Sequence, residues 1–205
     1  MKNLKKKEKE CEATIVSMNL IAEHIKKVAS KLDTGSVRSL VSGIMSSQKI
    51  FLMGAGRSGL AAKAFAMRLM HMGFNVYVVG ETTTPAVQPD DLVIAVSGSG
   101  ETPSIASLGA IAKKIGSKLA VITSNKGSTL GKISDIVVIV PGRTKEDINY
   151  EDYHERRMVG YPQLAPLGTI FEISALVFLD AVISELMVRT GASEAELKKR
   201  HTVFE

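Results

Sequence analysis

Three observations predict an α/β fold: a five-stranded parallel sheet with helices on both faces, in a Rossmann-like, flavodoxin-type sandwich preceded by two leading helices. Short apolar runs alternate with stretches of helical periodicity. Each run is nearly all apolar, as a strand covered on both faces must be, and four of them end in loops rich in Gly, Ser or Thr. Strands that alternate with helices are joined by right-handed crossovers, and ligands of such sheets bind at the carboxyl ends of the strands. The 205 residues are enough for one unit with a full core, and no shift in composition divides them. A single domain over 1–205 is therefore expected, with leading helices in 1–48 and the sheet core, a long helix and a tail in 49–205.

From Cys11 to Leu32, apolar residues recur at Ile15, Met18, Ala22, Ile25, Ala29 and Leu32, the spacing of an amphipathic helix. Asp33-Thr34-Gly35-Ser36 stops it, and Val37, Leu40, Val41, Ile44 and Met45 repeat the pattern. Such a leading pair either covers the sheet or packs against another subunit. Ile50 to Met53 is the first strand; it runs into Gly54-Ala55-Gly56-Arg57-Ser58-Gly59 and a helical pattern through Phe65, Leu69 and Met72, ended by Gly73. Val76 to Val79 is the second strand. The third, Leu92 to Val96, breaks into Ser97-Gly98-Ser99-Gly100-Glu101-Thr102, and Pro103 suits the first turn of the next helix because its missing N–H would be unpaired there anyway. That helix reaches Ile115 and stops at Gly116.

Leu119 to Thr123 is the fourth strand, a short helix lies near Leu130 and Ile133, and Ile136 to Val140 is the fifth strand. Pro141 to Pro166 lacks periodicity and is rich in charge, which suits a lid, a subunit contact or a linker. Leu167 to Thr190 is a long helix with Phe171, Leu176, Val177, Leu179, Ile183 and Met187 inward. Ser193-Glu194-Ala195-Glu196 is a capping box for a last short helix before the tail Arg200 to Glu205.

The net charge of +5 comes mostly from Lys2, Lys5, Lys6, Lys7 and Lys9 and from Lys198-Lys199-Arg200. Trp is absent and no stacking residues interleave with the basic ones, so general attraction for small anions is expected rather than nucleic-acid binding. The lone Cys11 excludes an internal disulfide, and no Cys/His cluster has zinc spacing, so no metal is expected. With no signal-peptide pattern and no apolar run of spanning length, a soluble cytoplasmic protein with no membrane partner is expected.

The loop after the third strand carries the clearest chemistry. Two glycines let backbone N–H groups crowd one point, Ser97, Ser99 and Thr102 add hydroxyls, and the helix N-terminus adds partial positive charge, so a phosphate fits there. The Gly54 to Gly59 loop has the dinucleotide spacing, with Glu81 standing 22 residues on, near where a ribose-binding acid would sit. A dinucleotide fold needs one such loop, however, whereas this chain has two and no later substrate domain. A small sugar phosphate is the preferred ligand, with Ser58 adding a hydroxyl to the same site.

The two loops, Gly80-Glu81-Thr82-Thr83-Thr84-Pro85, Pro166-Leu167-Gly168-Thr169-Ile170-Phe171-Glu172 and Arg200-His201 together resemble the sugar isomerase (SIS) domains and, more narrowly, the 6-phospho-3-hexuloisomerase family. The resemblance covers Lys49 to the C-terminus, although Pro141 to Leu164 is longer and more charged than the family pattern. It implies reversible conversion of D-arabino-hex-3-ulose 6-phosphate to D-fructose 6-phosphate through an enediolate, without metal or organic cofactor. It also implies a homotetramer with sites between subunits and a place in formaldehyde fixation by the ribulose monophosphate pathway. In SIS domains the phosphate is held at positions matching Ser97, Ser99, Thr102 and Ser58.

That chemistry needs a base that takes a proton from C2 and returns it to C3, and a group that shuttles protons between the two oxygens. Within the resembling block Glu172 is the candidate base, and His201 is the candidate shuttle, reaching a neighbouring subunit's site. Glu101 is a rival base, but a carboxylate aimed at a bound dianion would repel it, so it is expected to point away or steady the helix start. Arg57 is placed to neutralise substrate charge, and Thr83 and Thr84 to read sugar hydroxyls. His71 and His154 have weaker claims, and His24 falls on the polar side of the first helix. The alternatives are an isomerase of the same fold acting on an arabinose or heptose phosphate, and a non-catalytic sugar-phosphate sensor. A sensor should carry an effector domain, for which the two leading helices are too little.

Overall fold

The structure is a computed structural model that describes residues 12–142 and 168–201. Two helices, α1 (Glu12–Lys31) and α2 (Thr34–Ser46), precede β1 (Ile50–Gly54). There follow α3 (Gly56–His71), β2 (Val76–Val78), β3 (Leu92–Val96), α4 (Pro103–Ile115), β4 (Lys118–Thr123), α5 (Thr129–Ile133) and β5 (Ile136–Ile139). The chain ends in α6 (Thr169–Thr190) and α7 (Glu194–Lys199). The expected elements are present, in order, with ends moved by a residue or two. The stretch from 143 to 167, where a lid or subunit contact was expected, lies outside the described residues.

The five strands form one all-parallel sheet in the order β2-β1-β3-β4-β5. Alternate side chains feed two cores. Ile50, Leu52, Leu92, Ile94, Val96, Ala120 and Ile122 meet α2, α3 and α6 on one face, while Phe51, Met53, Val93, Ala95, Leu119 and Val121 meet α4 and α5 on the other. The coverage is uneven, because α6 and the leading helices all join the first face. β1 and β3 are neighbours whose following helices leave to opposite faces, so the strand order reverses between them and a crevice opens at their carboxyl ends.

Two details differ from the expectation. In α6 the buried residues are Phe171, Ser174, Ala175, Phe178, Leu179, Val182, Ile183 and Leu186, whereas Leu176 and Val177 face outward. That helix is apolar nearly all round, so spacing alone does not fix its inner stripe. In α1 only Val28 is buried, and the expected apolar face leaves Ile15 62% and Met18 66% exposed. His24, placed on the polar side, is instead half-buried, and its Nε2 donates to the Pro141 carbonyl at 2.9 Å.

Candidate active site

The crevice between β1 and β3 holds a cavity of about 340 Å³, lined from three directions. The turn after β1 supplies Ala55, Gly56, Arg57 and Ser58; the loop after β3 supplies Gly98, Ser99, Thr102 and Pro103; the start of α6 supplies Gly168, Phe171 and Glu172. Sequence dictates how tightly the first turn is wound. A β-carbon on Gly59 would stand 2.7 Å from the Gly54 carbonyl oxygen, and one on Gly54 would stand 2.9 Å from the Gly59 nitrogen. Only glycine at both positions lets strand and helix come this close, which turns Arg57 and Ser58 toward the cavity.

The second loop is held from below. The Gly98 carbonyl accepts from the Ser124 backbone N–H at 2.9 Å, the Thr123 hydroxyl at 2.9 Å and the Ser124 hydroxyl at 2.8 Å. Ser99 Oγ accepts the Glu101 N–H at 3.2 Å and still borders the cavity. Three helix N-termini thus converge, those of α3, α4 and α6, and their N-cap residues Ala55, Thr102 and Gly168 make no side-chain capping bond. The caps of α2, α5 and α7 behave differently: Asp33, Ser128 and Ser193 each accept from backbone N–H groups of their own helix. Among the described residues no side chain of the N-cap covers these first turns, and their backbone donors and positive dipole ends face the cavity, an arrangement that suits an anion.

One full ion pair crosses this space. Arg57 Nε donates to Glu172 Oε2, joining the first turn of α3 to the first turn of α6 across 115 residues of sequence. The Glu172 side chain is 11% exposed and that of Arg57 59%. Gly168, at φ 86°, admits the carboxylate: a β-carbon there would stand 3.0 Å from Glu172 Oε1.

Of the residues chosen from the sequence, Arg57, Ser58, Ser99, Thr102 and Glu172 come together here. Ser97, Thr83, Thr84 and His201 do not line this cavity. Ser97 is the first residue past β3 and is buried beneath the loop, its hydroxyl without a hydrogen-bond partner among the described residues. Thr84 gives its hydroxyl to the Val78 carbonyl at 2.6 Å, which makes it part of the turn after β2, and Thr83 is exposed in the same turn. Arg57 was chosen to meet substrate charge, but its first partner is the Glu172 carboxylate. Glu101 points away from the cavity, as expected: it accepts the Thr129 N–H at 2.8 Å and hydroxyl at 2.6 Å at the start of α5, and these bonds hold its carboxyl below the usual range.

His201 stacks on buried His71 with ring centroids 4.9 Å apart, at the far end of α3. Arg200 fixes that arrangement by donating to the His71 carbonyl at 3.2 Å. Fourteen residues of helix separate Arg57 from His71, roughly 21 Å at 1.5 Å per residue. Within one chain His201 therefore does not reach Glu172. A second cavity, of about 610 Å³, lies beside it and is lined among others by Arg68, His71, Asp180, Lys198 and His201.

Sequence reasoning overlooked the contributions of Ala55 and Gly168. The available signal was the identity of the N-cap residues: a helix start without Ser, Thr, Asp or Asn leaves its donors for something else. No sequence signal announces the Arg57–Glu172 pair.

Comparison with known proteins now decides the family. Residues 43–150 match the SIS domain family. The chain belongs to that family. Among its relatives are a 3-hexulose-6-phosphate isomerase of Bacillus subtilis, 40% identical with 90% of this chain and 95% of that protein covered, and one of Methanocaldococcus jannaschii, 38% identical with 93% and 95% covered. A crystal structure of a hypothetical protein from Methanococcus jannaschii, from which a function of 3-hexulose-6-phosphate isomerase was inferred, superposes with a TM-score of 0.76 at 34% identity. That alignment covers 92% of this SIS chain and 98% of the other.

Proposed function

We infer that this chain is an isomerase interconverting D-arabino-hex-3-ulose 6-phosphate and D-fructose 6-phosphate. The observation that carries the reading is the convergence of three uncapped helix N-termini on a cavity that also holds a carboxylate at its wall. The names of the relatives supply the substrate. In this reading the phosphate lies against Ser58, Ser99, Thr102 and the backbone N–H groups beside them, which offer donors without adding negative charge. Glu172 then takes the proton from C2 and returns it to C3. The carbonyl moves from C3 to C2 as the hydroxyl proton passes between the oxygens, and no electrons leave the substrate.

Residues 1–205 act as one domain in this reading, and the enzyme works as a homotetramer. Support for the assembly is the apolar surface left on α1, where Ile15, Met18 and Leu20 are all more than half exposed. His201, held at the far end of α3, would then serve the oxygens in a neighbour's site. Cytoplasmic action in formaldehyde fixation by the ribulose monophosphate pathway goes with that activity; among the described residues no helix is long and apolar enough to cross a membrane. The test is turnover of hexulose 6-phosphate against arabinose 5-phosphate by the purified protein. A clear preference for the hexulose is expected, and a preference for the pentose would move the chain to the other isomerase class of the fold.

A further inference from the structure

The two partners of the cavity's ion pair differ in freedom. Glu172 is nearly buried on the first turn of α6, its N–H bonded to the Gly168 carbonyl at 3.0 Å and its carboxylate set against the bare Cα of Gly168. Arg57 is mostly exposed and ends a long, rotatable side chain. It is also the one cation among the described residues that line the cavity. The guanidinium holds Glu172 Oε2 while Oε1 lies against Gly168, so both carboxylate oxygens are engaged where a carbon-bound proton would arrive. A sugar phosphate brings a second anion of nearly two charges to the same helix N-terminus, and the mobile partner is the one that moves.

We propose that Arg57 makes proton transfer conditional on the phosphate: it pairs with Glu172, and a bound phosphate draws it away and frees the base. This rests on reading Glu172 as the base. The freed step is balanced within the substrate. The C–H bond breaks, its electron pair forms the enediolate double bond, negative charge goes to the carbonyl oxygen, and the proton resides on Glu172 until it returns to the neighbouring carbon. A ketose without phosphate leaves the guanidinium on the carboxylate. Arg57 is thus a specificity residue whose effect reaches the reaction through Glu172.

The experiment follows deuterium uptake from D₂O into fructose 6-phosphate and into fructose, the latter with and without inorganic phosphite. In the wild type, fructose should exchange slowly and phosphite should accelerate it. In Arg57→Gln the acceleration should vanish because Glu172 is already released, so fructose exchange without phosphite should rise toward the phosphite-stimulated wild-type rate. With fructose 6-phosphate the same change should raise KM about 10- to 100-fold, the worth of a hydrogen bond to a charged group, and lower kcat far less. Arg57→Lys should keep part of the phosphite effect. Wild-type exchange indifferent to phosphite, or an Arg57→Gln enzyme that loses kcat on both sugars by one factor, overturns the proposal. Glu172→Gln separates the two readings: exchange that survives this change removes the base assignment whatever Arg57 does.

Discussion

A β-carbon on Gly142 would stand 2.6 Å from the Cα and 2.8 Å from the nitrogen of Phe171, so the chain leaving β5 runs in backbone contact with the first turn of α6. From the other side, His24 of α1 holds the carbonyl of Pro141. The wall carrying Glu172 is therefore positioned by a glycine and by the first helix of the chain. Gly142→Ala forces backbone atoms apart, and overpacking of this kind costs about 1–3 kcal/mol. A lower urea midpoint is expected, together with a kcat that falls more than KM rises, because Glu172 moves with Phe171. A variant as stable and as active as the wild type would show that this contact yields freely.

The two carboxylates near the cavity are separable by isosteric change. Glu172→Gln keeps size and hydrogen bonding but cannot accept a proton, so kcat should fall by at least about 10², the lower end for general acid–base groups, while substrate still binds. Glu101→Gln alters only the cap of α5 and should keep most of the activity. Steady-state kinetics on the two variants decide the matter, and the opposite pattern moves the base to the phosphate loop.

What was legible in the sequence followed from local rules. Pro103 and Gly116 bound α4 as read, Gly116 taking the left-handed conformation at φ 95°, and Ser193 with Glu196 forms the capping box. The five apolar runs became five strands, most plainly β1, β3 and β4, whose burial on both faces leaves no other composition available. Illegible were the relationships between residues far apart. Spacing places Arg57 and Glu172 on separate helix starts, but only the crossing of α3 over α6 brings them together. Likewise the sequence offers Thr83 and Thr84 as sugar ligands, whereas the turn after β2 takes the Thr84 hydroxyl for the Val78 carbonyl. The apolar stripe of α1 was visible, whereas its outward direction was not: only Val28 of that helix is buried, in the core that α6 fills.

Asp135 gives a stability prediction with a definite sign. Partial burial raises its pKa, but the Leu119 N–H at 2.8 Å and Lys113 Nζ at 2.6 and 2.7 Å outweigh this and hold the carboxyl below its ordinary range. A group whose pKa is lower folded than unfolded stabilises the fold fully above the unfolded value, about 3.9, and loses that contribution as pH falls toward the folded one. Melting temperature measured from neutral pH down through 3 should drop less steeply in Asp135→Asn than in the wild type. The two curves should converge at the acid end, the variant being the less stable at neutrality. Because the carboxylate is 41% exposed, solvent screens the effect and a modest difference is expected.

Ile15 and Met18 lie one turn apart on α1 and point away from the rest of the described residues, at 62% and 66% exposure. The same stripe continues through exposed Ala22 and Ala29. Apolar side chains arrayed along one helix face are favourable in water only when something covers them, and a second copy of the same helix is the partner always present. Replacing Ile15 and Met18 together by Lys should therefore shift the assembly to smaller species in light scattering while leaving the far-ultraviolet circular dichroism unchanged, since neither side chain is in the core. Activity then reports on His201. If that imidazole serves a neighbour's oxygens, the dissociated variant should resemble His201→Asn in kcat, and adding His201→Asn to it should cost little more. If the variant stays fully assembled, the α1 stripe is not the interface; if it dissociates and remains fully active, each chain's site is complete without its neighbour, and His201 serves its own chain beside His71.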